Sequence, residues 1–224
     1  MTFIKMCGLQ DEATVDLAVE LGVDAVGFVL VKSPRRISPD RAATLRTRVP
    51  AGTLAVGVYV NASLDEIVTT ARAANLDHVQ VHDLRSADDV RVLHDAGFTV
   101  IRAINTGGAE ALSEDFGADL LLVDGAVAGA GKTWDWQDRS ALPSGRWVLA
   151  GGLNPDNVER ALSTSGAWGV DVSSGIEAER GVKDPGLMRA FAQAVRRNAP
   201  SDPSGGSGGV SARRRPSYAA GSGA

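Results

Sequence analysis

Thr2-Phe3-Ile4-Lys5-Met6-Cys7-Gly8, the first apolar run of the chain, stops at a thiol and a glycine. A helical pattern begins within a few residues, with Ala13, Leu17, Ala18 and Leu21 spaced along Asp11–Leu21. A run too short for a helix, closed by glycine and followed by that spacing, reads as a β-strand feeding an α-helix. The same unit recurs down the chain. Strands are expected at Phe3–Cys7, Ala25–Val31, Leu54–Val60, His78–His82, Thr99–Ala103, Leu120–Asp124, Trp147–Ala150 and Gly169–Val172. Most are near-continuous runs of Val, Leu, Ile and Ala, the pattern of parallel strands buried on both faces. Their starts lie roughly 20 to 30 residues apart, the length of a strand–helix unit.

Helix signals fill the intervals. Ser38-Pro39 supplies an N-cap and a first-turn proline. Ser63 followed by Glu66 forms a capping box opening Ser63–Ala74. Ser86–Ala96 ends at Gly97, Asn154-Pro155 opens a helix to about Ser163, and Pro185–Arg197 gathers arginine at its C-terminal end. The segments near Gly108–Phe116 and Asp135–Leu142 carry weaker helical patterns. Eight such units over residues 1–199 predict an α/β fold, a single-domain (β/α)8 TIM barrel. The competing architecture is an open doubly wound sheet, but no GxGxxG follows the first strand, where a dinucleotide fold places one. Residues 200–224 are mostly Gly, Ser and Pro without apolar period and are expected to be a disordered tail.

Composition narrows the function classes. Hydrophobic residues make up 44% of the chain and aromatics 5%, so Val, Ala and Leu must fill the core. One cysteine excludes an intramolecular disulfide and a cysteine-based zinc site within one chain. No run is long enough to span a bilayer and the N-terminus lacks a secretory pattern, so a cytoplasmic protein is expected, with no membrane partner. A net charge of −4 argues against a nucleic-acid partner.

On a barrel, the residues that end strands and open the following loops carry the chemistry. Here they are Cys7-Gly8, Ser33-Pro34-Arg35-Arg36, Asn61, Gln80, His82, Arg102, Asp124, Gly151-Gly152 and Ser173-Ser174-Gly175. The set is small, polar and ionisable on an otherwise apolar scaffold. A thiol at Cys7 can serve as base or nucleophile if its pKa is tuned; the plain alternative is a buried core residue. Asp124 is an acid candidate or a loop carboxylate. The glycines after the last two strands suit either a phosphate site or tight turns. No cluster of His or acidic residues has metal-ligand spacing, so no metal is expected.

Taken in order, these strand ends resemble the phosphoribosylanthranilate isomerase family. The matching stretches include Lys5-Met6-Cys7-Gly8-Leu9, Ser33-Pro34-Arg35, Val79-Gln80-Val81-His82, Gly131-Lys132-Thr133-Trp134-Asp135-Trp136, Leu149-Ala150-Gly151-Gly152-Leu153-Asn154-Pro155 and Gly169-Val170-Asp171-Val172-Ser173-Ser174-Gly175-Ile176-Glu177. The resemblance covers about residues 2–198. It implies an Amadori rearrangement in tryptophan biosynthesis without metal or cofactor. Cys7 then matches the general base and Asp124 the general acid. Gly151, Gly152, Ser173, Ser174 and Gly175 hold the phosphate, and Arg35 grips the anthranilate carboxylate. His82 hydrogen-bonds substrate, orients the thiol, or is a satisfied strand-end histidine. Arg36 stands where the family more often has an aromatic, which leaves open which arginine faces the site. The partner is a small phosphosugar–anthranilate; a monomer is expected, with a dimer as alternative.

Two departures stand out. Ala128-Gly129-Ala130-Gly131 lacks a hydroxyl that the family usually carries, and Asp83 replaces the usual glycine after His82. The related histidine-pathway isomerase has an aspartate where this chain has Cys7 and a second glycine-rich phosphate loop that Asn61-Ala62-Ser63 does not supply. A non-catalytic barrel binding a phosphorylated metabolite is the alternative from another class.

Overall fold

The computed structural model of the chain describes residues 1–106, 114–125 and 142–197. Eight parallel strands form a closed barrel in sequence order: β1 (Phe3–Cys7), β2 (Ala25–Val29), β3 (Leu54–Tyr59), β4 (His78–Val81), β5 (Thr99–Asn105), β6 (Leu120–Asp124), β7 (Trp147–Leu149) and β8 (Gly169–Val172). β8 closes the sheet onto β1 with Phe3 opposite Gly169 and Met6 opposite Val172. The α/β barrel expected from the apolar runs is therefore the fold, and the doubly wound alternative is set aside. Boundaries shift by one or two residues: β2 ends at Val29 rather than Val31, and β5 runs on to Asn105, paired with Asp124.

The helices are α1 (Glu12–Glu20), α2 (Pro39–Arg46), α3 (Leu64–Ala73), α4 (Ala87–Asp95), α5 (Val158–Ser165) and α6 (Pro185–Arg197). Their starts follow from cap chemistry. Ser38, Ser63 and Ser86 each accept from the backbone N–H three residues on, as does Asp11. Asn154 Oδ1 accepts from the N–H groups of Asp156 and Asn157, which turns the chain into α5. Of the weaker helix at Gly108–Phe116, only residues 114–116 are described, and Phe116 sits in a left-handed turn. Nearly all of Asp135–Leu142, the Ala128–Gly131 loop and the tail lie outside the described residues.

Two apolar layers stabilise the barrel. Phe3, Ala25, Val56, Ile101, Leu122 and Val148 pack inside it. The outward faces of the strands meet the helices, where α6 buries Met188, Phe191, Ala192, Ala194 and Val195. After β8 the chain makes a 3-10 turn at Ser174–Ile176 and a short antiparallel hairpin, β9 (Glu177–Glu179) with β10 (Val182–Lys183). This hairpin is too short to show alternation in the sequence. Among the described residues no helix is long and apolar enough to cross a membrane.

Phe191 anchors the last helix and is fully buried. Phe191→Ala is expected to cost ~3–5 kcal/mol in denaturant unfolding, because a cavity adds to the lost transfer energy. A loss under ~1 kcal/mol would show that α6 does not hold the barrel closed.

Candidate active site

Side chains alternate across a strand, so parity decides which residues face the barrel interior. Ile101 and Ala103 are inside, which places Asn105 inside and Arg102 outside. Arg102 lies under the Phe116 ring, 3.9 Å from its centroid, and donates through Nη1 to the Glu114 carbonyl. The expectation that Arg102 faces ligand is thus corrected. The strand runs two residues further than its apolar pattern, and Asn105 holds the inward end position. Lys5 and Cys7 on β1, Gln80 and His82 at β4, Asp124 on β6 and Asp171 on β8 fall on the inner side.

Cys7 ends β1 and is buried. Burial pushes its thiol up from the ordinary range, while Lys5 and Lys183 pull it back only in part. Lys5, 1% exposed, donates from Nζ to Asp171 Oδ1 at 2.9 Å. Burial acts to lower the Lys5 pKa, but Asp171 and Cys7 together hold it above the ordinary value. Asp124 ends β6, and its Oδ1 accepts from Gly125 N at 2.7 Å. Burial, reinforced by Asp171, raises its carboxyl to about 6. Desolvation thus leaves Asp124 a larger neutral fraction near pH 7 than an ordinary carboxylate has. Burial moves the thiol away from thiolate, opposite to the tuning that a base at Cys7 would need.

Arg35 and Arg36 separate cleanly. Arg35 is buried, whereas Arg36 is exposed and its carbonyl accepts from Gln10 Nε2. Arg35 forms a two-pronged pair with Glu177, Nε to Oε1 at 2.6 Å and Nη2 to Oε2 at 2.9 Å. Glu177 also accepts from Lys183 Nζ at 2.7 Å. Although its own burial acts upward, these donors hold its carboxyl at about 2. Lys183 Nζ reaches on to the carbonyl and Oγ of Ser173, at 2.8 and 3.3 Å, and Ser173 Oγ donates to the Cys7 carbonyl at 3.1 Å. Glu177 and Lys183 were not singled out from the sequence; two ionisable residues flanking a glycine-rich strand end were the available signal.

His82 follows β4 with Nε2 3.2 Å from Gln80 Nε2, and burial lowers its pKa to about 4, so the ring is neutral at pH 7. Asp83 accepts from Asn61 N, which ties the loops after β3 and β4 together and directs its charge to backbone. Ser86, not Asp83, caps the helix that follows. Gly151 and Gly152 follow β7, both with positive φ. A Cβ on Gly151 would collide with Gly125 N and stand 2.8 Å from Asp124 Oδ1. Glycine there lets the seventh loop close over the carboxylate. Ser174 and Gly175 form the 3-10 turn after β8.

A closed parallel barrel with a buried thiol and a buried carboxyl at its strand ends has the architecture of the (β/α)8 barrel enzymes. Residues 4–194 match the family described as N-(5'phosphoribosyl)anthranilate (PRA) isomerase. The N-(5'-phosphoribosyl)anthranilate isomerase of Rhodospirillum rubrum is 40% identical over 213 residues, 87% of this chain and 98% of that protein. The crystal structure of TrpF from Jonesia denitrificans superposes with a TM-score of 0.80 at 39% identity, covering 88% of this chain and 98% of that one. The structure of phosphoribosyl anthranilate isomerase in complex with reduced 1-(o-carboxyphenylamino)-1-deoxyribulose 5-phosphate matches with a TM-score of 0.73 at 31% identity, over 88% and 99% of the two chains. The chain belongs to the N-(5'-phosphoribosyl)anthranilate isomerase family, and it is an isomerase.

A raised carboxyl lowers stability as pH increases. Between about pH 4 and pH 6 the folded chain keeps a proton on Asp124 that the unfolded chain has released. Asp124→Asn retains an acceptor for Gly125 N without the buried charge. At pH 8 it is expected to be more stable than wild type by ~2 kcal/mol in denaturant unfolding, and indistinguishable at pH 3. Equal stability at pH 8 would mean that the carboxyl is well solvated.

Proposed function

We propose that the chain converts N-(5-phosphoribosyl)anthranilate into 1-(2-carboxyphenylamino)-1-deoxyribulose 5-phosphate, a step of tryptophan biosynthesis, with Asp124 as general acid and Cys7 as general base. The observation that carries this reading is the raised Asp124 carboxyl on the same inner barrel face as the thiol. Family membership supplies the substrate.

The reaction is an internal redox shift that needs two proton transfers and no co-reactant. Asp124 gives its proton to the furanose ring oxygen as the C1′–O bond breaks, and the anthranilate nitrogen's lone pair forms the C1′=N bond. The Cys7 thiolate then takes the proton from C2′. The C2′–H electron pair moves into C1′–C2′, giving an enolamine that tautomerises to the C2′ ketone. C2′ is oxidised and C1′ reduced, and atoms balance. The backbone N–H groups of Gly151, Gly152, Ser173, Ser174 and Gly175 are proposed to hold the phosphate, the usual location on a barrel after its last two strands. Arg35 is proposed to meet the anthranilate carboxylate through Nη1, since Nε and Nη2 face Glu177. The neutral His82 ring is placed to hydrogen-bond the sugar without adding charge.

The two pKa directions set the pH behaviour. The working form pairs a thiolate with a neutral carboxyl, yet the carboxyl titrates near 6 and the thiol above its ordinary range. That form is therefore the minor arrangement of one proton shared by the pair. kcat/KM is expected to be flat between the two titrations. It falls below about pH 6, where thiolate keeps declining without gain in neutral carboxyl, and falls again above the thiol titration. A profile rising through pH 7 to a maximum at the ordinary thiol pKa would contradict this assignment.

Loss of anthranilate-ester fluorescence from freshly generated substrate measures turnover directly. The purified protein should accelerate the loss well beyond spontaneous hydrolysis. Cys7→Ala should reduce turnover by roughly 10²–10⁴-fold with little change in product-analogue affinity. A fully active Cys7→Ala protein would remove the thiol from the mechanism.

A further inference from the structure

One ionisable pair inside the barrel has no part in the reaction as written. Lys5 and Asp171 stand opposite one another in register across β1 and β8, joined at 2.9 Å, with side chains 1% and 9% exposed. Such a pair adds little net stability, because desolvating two charges offsets their attraction. Its position is more informative. Lys5 lies two residues before Cys7 on the same face of β1, and Gly27 is the register partner of Cys7 on β2. A Cβ on Gly27 would stand 2.9 Å from Cys7 Sγ and 3.2 Å from Lys5 Nζ. Ammonium and thiol converge on a space that only glycine leaves open, and the Lys5 charge acts to lower the thiol's pKa.

We propose that Lys5 is the positioning residue of the base: its ammonium solvates the Cys7 thiolate in the water-poor barrel, and Asp171 keeps that ammonium charged while moderating its pull. The inference rests on the reading of Cys7 as base. A thiolate formed away from water needs a cation or donors close by. Among the described residues, the other cations around Cys7 are committed elsewhere. Lys183, reaching in from β10, directs its three N–H groups to the Ser173 carbonyl, Ser173 Oγ and Glu177. Arg35, from the loop after β2, is held by Glu177. The His82 ring after β4 is neutral. Among the described residues, Asp171 is the anion acting on both Lys5 and Cys7, Asp124 also feels Lys5, and Glu177 holds Lys183 and Arg35. Lys5 favours ionisation of both Cys7 and Asp124, and Asp171 opposes it at both, so one pair acts on the base and the acid together.

Cys7 is the only cysteine in the chain, so the pH dependence of iodoacetamide alkylation of the full-length protein titrates this thiol alone. Lys5→Met should move the midpoint upward, and alkylation at pH 7.5 should slow by about tenfold for every pH unit the midpoint rises. Asp171→Asn should move it downward, and the kcat/KM profile should follow each variant in the same direction. A purely structural pair would lower the melting temperature in both variants and leave the thiol midpoint unmoved. Where Lys5→Met does not fold, the Lys5→Met/Asp171→Asn protein carries no unpaired buried charge and should titrate above wild type. Unchanged midpoints in folded Asp171→Asn and double-variant protein would overturn the proposal. Because alkylation does not depend on turnover, that failure is distinct from an active Cys7→Ala enzyme, which would overturn the base assignment itself.

Discussion

β8 closes the sheet onto β1 through the register running from Phe3–Gly169 to Met6–Val172, and this closure takes Lys5, Cys7, Asp124 and Asp171 out of water together. Desolvation disfavours charged forms, and Lys5, Cys7 and Asp124 each depart from their ordinary values. Lys5 and Asp171 compensate one another at 2.9 Å. Cys7 and Asp124 are compensated only in part, and both rise. Both groups therefore favour their protonated forms more than they would in water, the state from which the proposed acid–base pair would have to work.

The loop after β8 extends the same logic to the rim. Glu177 gathers Arg35 and Lys183, Lys183 reaches Ser173, and Ser173 reaches the Cys7 carbonyl. This chain of hydrogen bonds joins the second loop, the terminal hairpin and β1, so the backbone at Ser173 is held from both the hairpin and the Cys7 carbonyl. Glycine is required where loops approach most closely, as at Gly151 over Asp124. Arg35 is thereby held in one orientation by Glu177.

Much of this architecture was legible in the residues. The apolar runs located all eight strands because parallel strands buried on both faces leave a continuous hydrophobic trace. Serine caps marked the starts of α2, α3 and α4 because an unsatisfied N–H at a helix start needs an acceptor. Cys7 and Asp124 were readable as strand-end residues breaking apolar runs. Arg102 was misplaced because it lies mid-strand, out of phase with the inward Ile101 and Ala103, rather than at the strand end that the apolar pattern suggests. Lys5 and Asp171 were hidden differently. A single charge inside an apolar run carries no signal of its partner, and these two lie 166 positions apart until the barrel closes. Glu177 and Lys183 depend on a hairpin whose strands are too short to show alternation.

The claim on which this account rests is that burial holds the Asp124 carboxyl in its neutral form well above the ordinary carboxylate range. Carbon-13 NMR titration of the side-chain carboxyls, with Asp124 assigned by comparison with Asp124→Asn, measures this directly. A midpoint near pH 6 is the predicted result. A midpoint near pH 4, the ordinary value for an aspartate, would show that the barrel does not desolvate its acid and would contradict the account.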